Sequence, residues 1–84
     1  MVIVFYQIRR KVIYKKIDTV PAADLEAGIY IQGDEGDFQL VTEIIDIFDE
    51  EYPAVQVTTR DHWGEENTTV ITFDVMLDIY EEKE

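Results

Sequence analysis

Asp37–Tyr52 reads DFQLVTEIIDIFDEEY, and the period assigned to its apolar residues decides the fold. At 100° per residue, Phe38, Val41, Ile45, Phe48 and Tyr52 form one stripe, with Leu40, Ile44 and Ile47 beside it. Gln39, Thr42, Glu43, Asp46, Asp49 and Glu50 fill the opposite arc. Asp37 follows Gly36 as an N-cap, and Pro53 bars continuation past Tyr52. The spacing therefore predicts an amphipathic helix over 37–52, with Ile45 in the middle of its buried face.

On either side of that helix the sequence predicts strands. Over Val2–Ile17, residues Val2, Val4, Tyr6, Ile8, Val12 and Tyr14 share one parity, interrupted by Arg10, and β-branched and aromatic content favours a strand. Asp18–Gly28 reads as a connection with one short helical turn, ended by Gly28 in a left-handed conformation. Ile29–Gln32 is a short strand and Gly33–Asp37 a turn. Ala54–Trp63 and Thr68–Tyr80 form a hairpin around Gly64–Asn67, and 81–84 a frayed polar tail. Uniting the apolar parities sets Val57 opposite Phe73, Val55 opposite Val75 and Thr59 opposite Ile71. The expected fold class is α+β: a mostly antiparallel sheet of about four strands with the 37–52 helix packed on one face.

Composition bounds the functional classes. A chain of 84 residues is a single domain, 1–84, and its 46% apolar content argues for a folded core. It has no cysteine, which excludes disulfides and thiolate metal sites and suggests a reducing compartment. The apolar start MVIVFYQI has no basic residue before it and is far shorter than the ~20 residues of a spanning helix. Together these predict a cytoplasmic protein without a membrane partner.

The net charge is −12, unevenly distributed. Arg9, Arg10, Lys11, Lys15 and Lys16 precede every acid, whereas from Asp18 onward 19 acids meet only Arg60 and Lys83. Direct nucleic-acid binding through phosphate neutralisation does not fit such a chain. The early bases read as edge-strand guards that discourage sheet-to-sheet pairing.

Catalytic signals are absent. His62, the one histidine, has Asp61 beside it but no serine, cysteine or second histidine in motif spacing. The acids of Gly33–Asp37 do not follow the EF-hand pattern, since Ile45 stands at the twelfth position. Asp74 and Asp78 share a strand face but lie ~13 Å apart, too far for a glycosidase pair. Neither an enzymatic activity, a cofactor nor a metal is expected.

What remains is acidity. Glu43, Asp46, Asp49 and Glu50 line the exposed arc of the predicted helix, joined by Asp34 and Glu35 in one turn and Glu65 and Glu66 in another. Like charges at helical spacing each cost a few tenths of a kcal/mol. Rows of carboxylates resemble the phosphate rows of DNA, and in charge and size the chain is similar to small acidic phage proteins that mimic DNA. The expected function is a non-enzymatic inhibitor, of viral or other origin, acting against a basic nucleic-acid-binding protein: a nuclease, a restriction or CRISPR effector, a repair enzyme or a polymerase. The alternative is a protein–protein interaction module, such as an adaptor, immunity or homodimerising subunit, whose acidity serves solubility. Its contact would be a strand edge or Trp63, which reads otherwise as a cap on the end of the sheet.

Overall fold

The computed structural model describes residues 12–83. The first part of the predicted N-terminal strand, residues 1–11, lies outside the described residues. Among the described residues, six strands form one antiparallel sheet: β1 Ile13–Pro21, β2 Tyr30–Gln32, β3 Phe38–Ile47, β4 Ala54–Arg60, β5 Glu66–Thr72 and β6 Met76–Lys83. Their order across the sheet is β1-β6-β2-β3-β4-β5. A 3₁₀ turn, Ala22–Asp24, is the one helical element among the described residues, none of which forms a helix long and apolar enough to cross a membrane.

The fold is thus not α+β, and the central correction concerns 37–52. The predicted helix is β3 followed by an irregular loop over 48–53. Five of the ten residues of β3 are β-branched (Val41, Thr42, Ile44, Ile45 and Ile47), a composition that crowds a helix and suits a pleated sheet. A bulge explains why strand alternation was hidden. Val41 pairs with Thr59 and Glu43 with the adjacent Thr58, leaving Thr42 as an extra residue whose hydroxyl donates to the Thr58 carbonyl at 3.2 Å. The bulge resets the pleat, so inward positions run Val41 then Ile44, a spacing of three that mimics a helical face. Ile45, opposite Gln56, points outward and is 46% exposed. Phe48 and Tyr52, also assigned to the buried stripe, are 83% and 69% exposed.

The predicted C-terminal strand is two strands. It breaks at Phe73–Val75, where the Val75 amide donates to the Thr72 carbonyl at 3.2 Å. The hairpin register differs accordingly. Val55 pairs with Ile71, Val57 with Thr69, Thr59 with Asn67 and Arg60 with Glu66, four residues from the predicted pairing on the same parity. The loop is therefore Asp61–Glu65, because the Asp61 carboxylate accepts the Trp63 and Glu65 amides, each at 2.9 Å, and folds the chain before Gly64. Asp18–Pro21 extends β1 and residues 81–83 extend β6, where a connection and a frayed tail were expected. Gly28 has φ 97° as predicted.

Consecutive strands β5 and β6 lie four places apart in the sheet yet are joined by three residues, so the sheet must curl strongly. The 3₁₀ turn closes the curl: the Ala22 and Ala23 amides donate to the carbonyls of Val75 and Phe73 at 2.8 and 3.3 Å. The core inside comprises Ala22, Leu25, Val41, Val55 and Val57, flanked by Val20, Phe73, Leu77, Ile29, Ile31, Ile44, Ile71 and Ile79. Its most deeply buried side chains are small, which lets the two sides of the curl approach.

Candidate functional site

Strand geometry redistributes the predicted acidic row. Successive residues of a strand face opposite ways, so Glu43, three residues from Asp46, lies on the outer face and Asp46 on the inner. The nine predicted binding residues form two groups, at opposite ends of β3–β4–β5, with Glu43 between them.

The first group surrounds the β3–β4 loop. Asp46 is the last residue but one of β3, and the Asp49 carboxylate accepts the Glu51 amide at 2.9 Å and the Tyr52 amide at 3.4 Å, shaping the loop. The Phe73 amide donates to the Pro53 carbonyl at 3.0 Å and brings Asp74 alongside. Asp46, Asp49, Glu50, Glu51 and Asp74 thus share one end with the exposed rings of Phe48 and Tyr52. No lysine or arginine occurs in 46–53 or 72–75. A hollow of about 540 Å³ lies there, lined by Glu51, Tyr52, Pro53, Thr72, Phe73 and Asp74.

The second group lies at the far end, ~20 Å away over the six steps of β4. It combines Asp34 and Glu35, in the β2–β3 turn, with Glu65, Glu66 and Trp63 around the β4–β5 loop. Glu66 is partly neutralised by Arg60 at 3.1 Å across the hairpin. Trp63 does not cap the sheet: it is 81% exposed, and its nearest aromatic neighbour is His62, 4.7 Å between ring centroids.

A third feature has no counterpart in the sequence reading. Tyr14 of β1, Tyr30 of β2, Phe38 of β3 and Tyr80 of β6 meet on the outer face. Phe38 stacks on Tyr14 at 4.2 Å and meets Tyr80 edge-on at 4.9 Å, while Tyr14 and Tyr30 are 4.9 Å apart. The hydroxyl of Tyr30 donates to Glu82 and that of Tyr80 to Gln32, both at 3.2 Å. Partial burial, followed by the Glu82 carboxylate, raises the Tyr30 pKa above its ordinary 10.0. On the same face, the Thr19 hydroxyl and then Lys16 lower the pKa of Asp78, at 2.7 and 3.2 Å. The available signal was Tyr80 on the non-core parity of its strand; its partners come from three other strands, whose pairing a single sequence does not specify.

Among the described residues, no group of three or more His, Asp or Glu side chains could hold a metal ion. No family model matches the sequence, and no curated protein matches it.

Proposed function

We propose that this protein is a non-enzymatic inhibitor that occupies the basic groove of a nucleic-acid-binding protein in the cytoplasm, by charge mimicry. The observation that carries the reading is the placing of carboxylates at both ends of one β unit, each beside exposed aromatic rings. The ~20 Å between the ends matches about six phosphate steps of a DNA strand. Phe48, Tyr52 and Trp63 add apolar anchors where the charge is densest, the combination that turns long-range attraction into a lasting complex. Among the described residues, ion pairs form at Lys16–Asp78 and Arg60–Glu66, both away from the β3–β4 loop.

The reading is tested by replacing Glu50, Glu51 and Asp74 together with lysine, sparing Asp49 because its carboxylate folds the loop. Partners captured from lysate at low salt should be basic DNA- or RNA-binding proteins, and the wild-type chain should displace nucleic acid from them. The triple variant should remain folded and bind at least ~100-fold more weakly, since close charge pairs couple by ~1.5 kcal/mol or more each. Binding should also collapse between 0.1 and 1 M salt, as the Debye length falls from ~10 to ~3 Å.

The second reading, an interaction module with an apolar contact, is favoured by the Tyr14–Tyr30–Phe38–Tyr80 patch. Partners that stay bound at 1 M salt and ignore the triple variant would establish it in place of the first.

A further inference from the structure

The curled sheet is not filled to its centre. A cavity of about 510 Å³ lies between β5 on one side and β2 and β6 on the other. Its lining divides by position. Ile71, Val75 and Leu77, which flank the Phe73–Val75 break, form an apolar end. Asn67, Thr59 and Gln39, toward the Asp61–Glu65 loop, form a polar end with Asp34 of the β2–β3 turn. Val57 and its cross-strand neighbour Thr69 stand between, in the ~13 Å covered by the four strand steps from Asn67 to Ile71. A hollow of this volume, with apolar walls and a few convergent polar groups, has the form of a small-molecule site.

The polar end is held in one arrangement. The Thr59 hydroxyl donates to the Gln39 side-chain carbonyl at 2.6 Å, and the Gln39 amide donates to the Asp37 carboxylate at 2.8 Å. Gly33, also on the lining, leaves room for that chain. A Cβ there would stand 2.6 Å from the Asp37 carboxylate and 2.7 Å from the Gln39 amide. What this end offers a ligand is mainly acceptors: the Asp34 carboxylate, the Asn67 side-chain carbonyl and the lone pairs of the Thr59 hydroxyl. The lining includes no lysine, arginine or histidine, and the chain carries a net charge of −12. An anionic head is therefore repelled, and a neutral one leaves the carboxylate without a counter-charge.

We infer that this cavity binds a small amphipathic cation, a primary amine with its ammonium at Asp34 and Asn67 and its apolar chain along Val57, Ile71 and Leu77. An ammonium has three N–H donors and no acceptor, which matches an end rich in oxygen acceptors. The apolar chain leaves water as it covers the wall, so affinity rises about fourfold with each added methylene. Glu50, Glu51 and Asp74 lie at the opposite end of β3–β4–β5, so this site stands whether or not the acidic surface mimics nucleic acid.

Methyl NMR of the full chain, titrated with butylammonium, hexylammonium, hexanol and hexanoate at ~0.15 M salt, tests this. Hexylammonium should shift the methyls of Val57, Ile71 and Leu77 saturably and bind ~15-fold tighter than butylammonium. It should also bind at least about fivefold tighter than hexanol, and hexanoate should not bind at matched concentration. Asp34→Asn should bring hexylammonium down to the affinity of hexanol. Glu50→Gln, at the far end, should leave both affinities unchanged, which separates the site from a general attraction to the net charge. Thr69→Phe fills the hollow beside Val57 and should abolish binding of both ligands while keeping the dispersed methyl spectrum. Methyls that do not respond, hexanoate binding as well as hexylammonium, an amine preference that survives Asp34→Asn, or binding unchanged in a folded Thr69→Phe would overturn the inference.

Discussion

The inner face of the sheet is closed by small aliphatic side chains and the outer face by large aromatic ones. Inside, Val41, Val55 and Val57 are fully buried against Ala22, with no polar atom of their own to satisfy. Outside, Tyr14, Tyr30, Phe38 and Tyr80 pack on one another across four strands but remain half-buried, their hydroxyls among polar side chains. The difference follows from curvature. The concave side brings backbones together and holds small side chains at its fully buried centre, whereas the convex side spreads neighbouring positions and leaves room for a cluster of rings. Stability should therefore concentrate inside, and the outer face should tolerate change and be available for recognition.

The largest effect that would test this contrast is expected from Val41→Asp. Val41 is fully buried opposite Thr59, and its amide and carbonyl are held by Ile29 and Gly28 at 2.8 Å. An unpaired carboxylate there should cost more than ~4 kcal/mol, near the whole ~4–13 kcal/mol expected of a chain this size. Circular dichroism at 25 °C should show no cooperative melt. A folded variant would mean that water reaches the inner face and that the curl is looser than described.

Phe38→Ala probes the outer cluster at its centre. Phe38 touches both Tyr14 and Tyr80, so its loss removes two ring contacts of ~0.5–1.5 kcal/mol each together with part of its buried area. Because the site is half-exposed, the remaining rings can close over the gap, and the expected destabilisation is ~2 kcal/mol, well short of unfolding. Denaturant midpoints measure it. A loss equal to that of Val41→Asp would erase the distinction between the faces.

These positions also show what the sequence disclosed. The short β2 strand, the turn at Gly33–Asp37, the left-handed Gly28 and the parity of the β4–β5 hairpin were legible because each rests on local chemistry: alternation, turn residues, a glycine with positive φ. β3 imitates a helix in sequence because one bulge at Thr42 converts an alternation of two into a spacing of three, and no local signal marks a bulge before the partner strand is known. The five β-branched residues of β3 carried the right answer, outweighed by periodicity. For the candidate site, the presence of acidic and aromatic residues was legible and their grouping was not. Glu43 and Asp46 part company when a helix becomes a strand, and the aromatic cluster needs the pairing of β1, β6, β2 and β3.

The smallest effect is expected from Ile45→Asp, and it separates the two readings of Asp37–Tyr52 directly. A helix puts Val41 and Ile45 one turn apart on the same buried stripe, so the two aspartate substitutions would be equally destructive. The bulged strand puts Val41 inside and Ile45 outside, opposite Gln56 and two residues along the same face from Glu43. The introduced carboxylate stays in water. What is lost is β-propensity, up to ~1 kcal/mol, and what is added is a few tenths of repulsion from Glu43. The melting temperature should fall by ~4–8 °C while the transition stays cooperative. Were Ile45→Asp instead to abolish folding while Phe38→Ala did not, the outer face beyond Glu43 would have to be covered in solution. Sedimentation of wild type would then show whether a second copy supplies that cover.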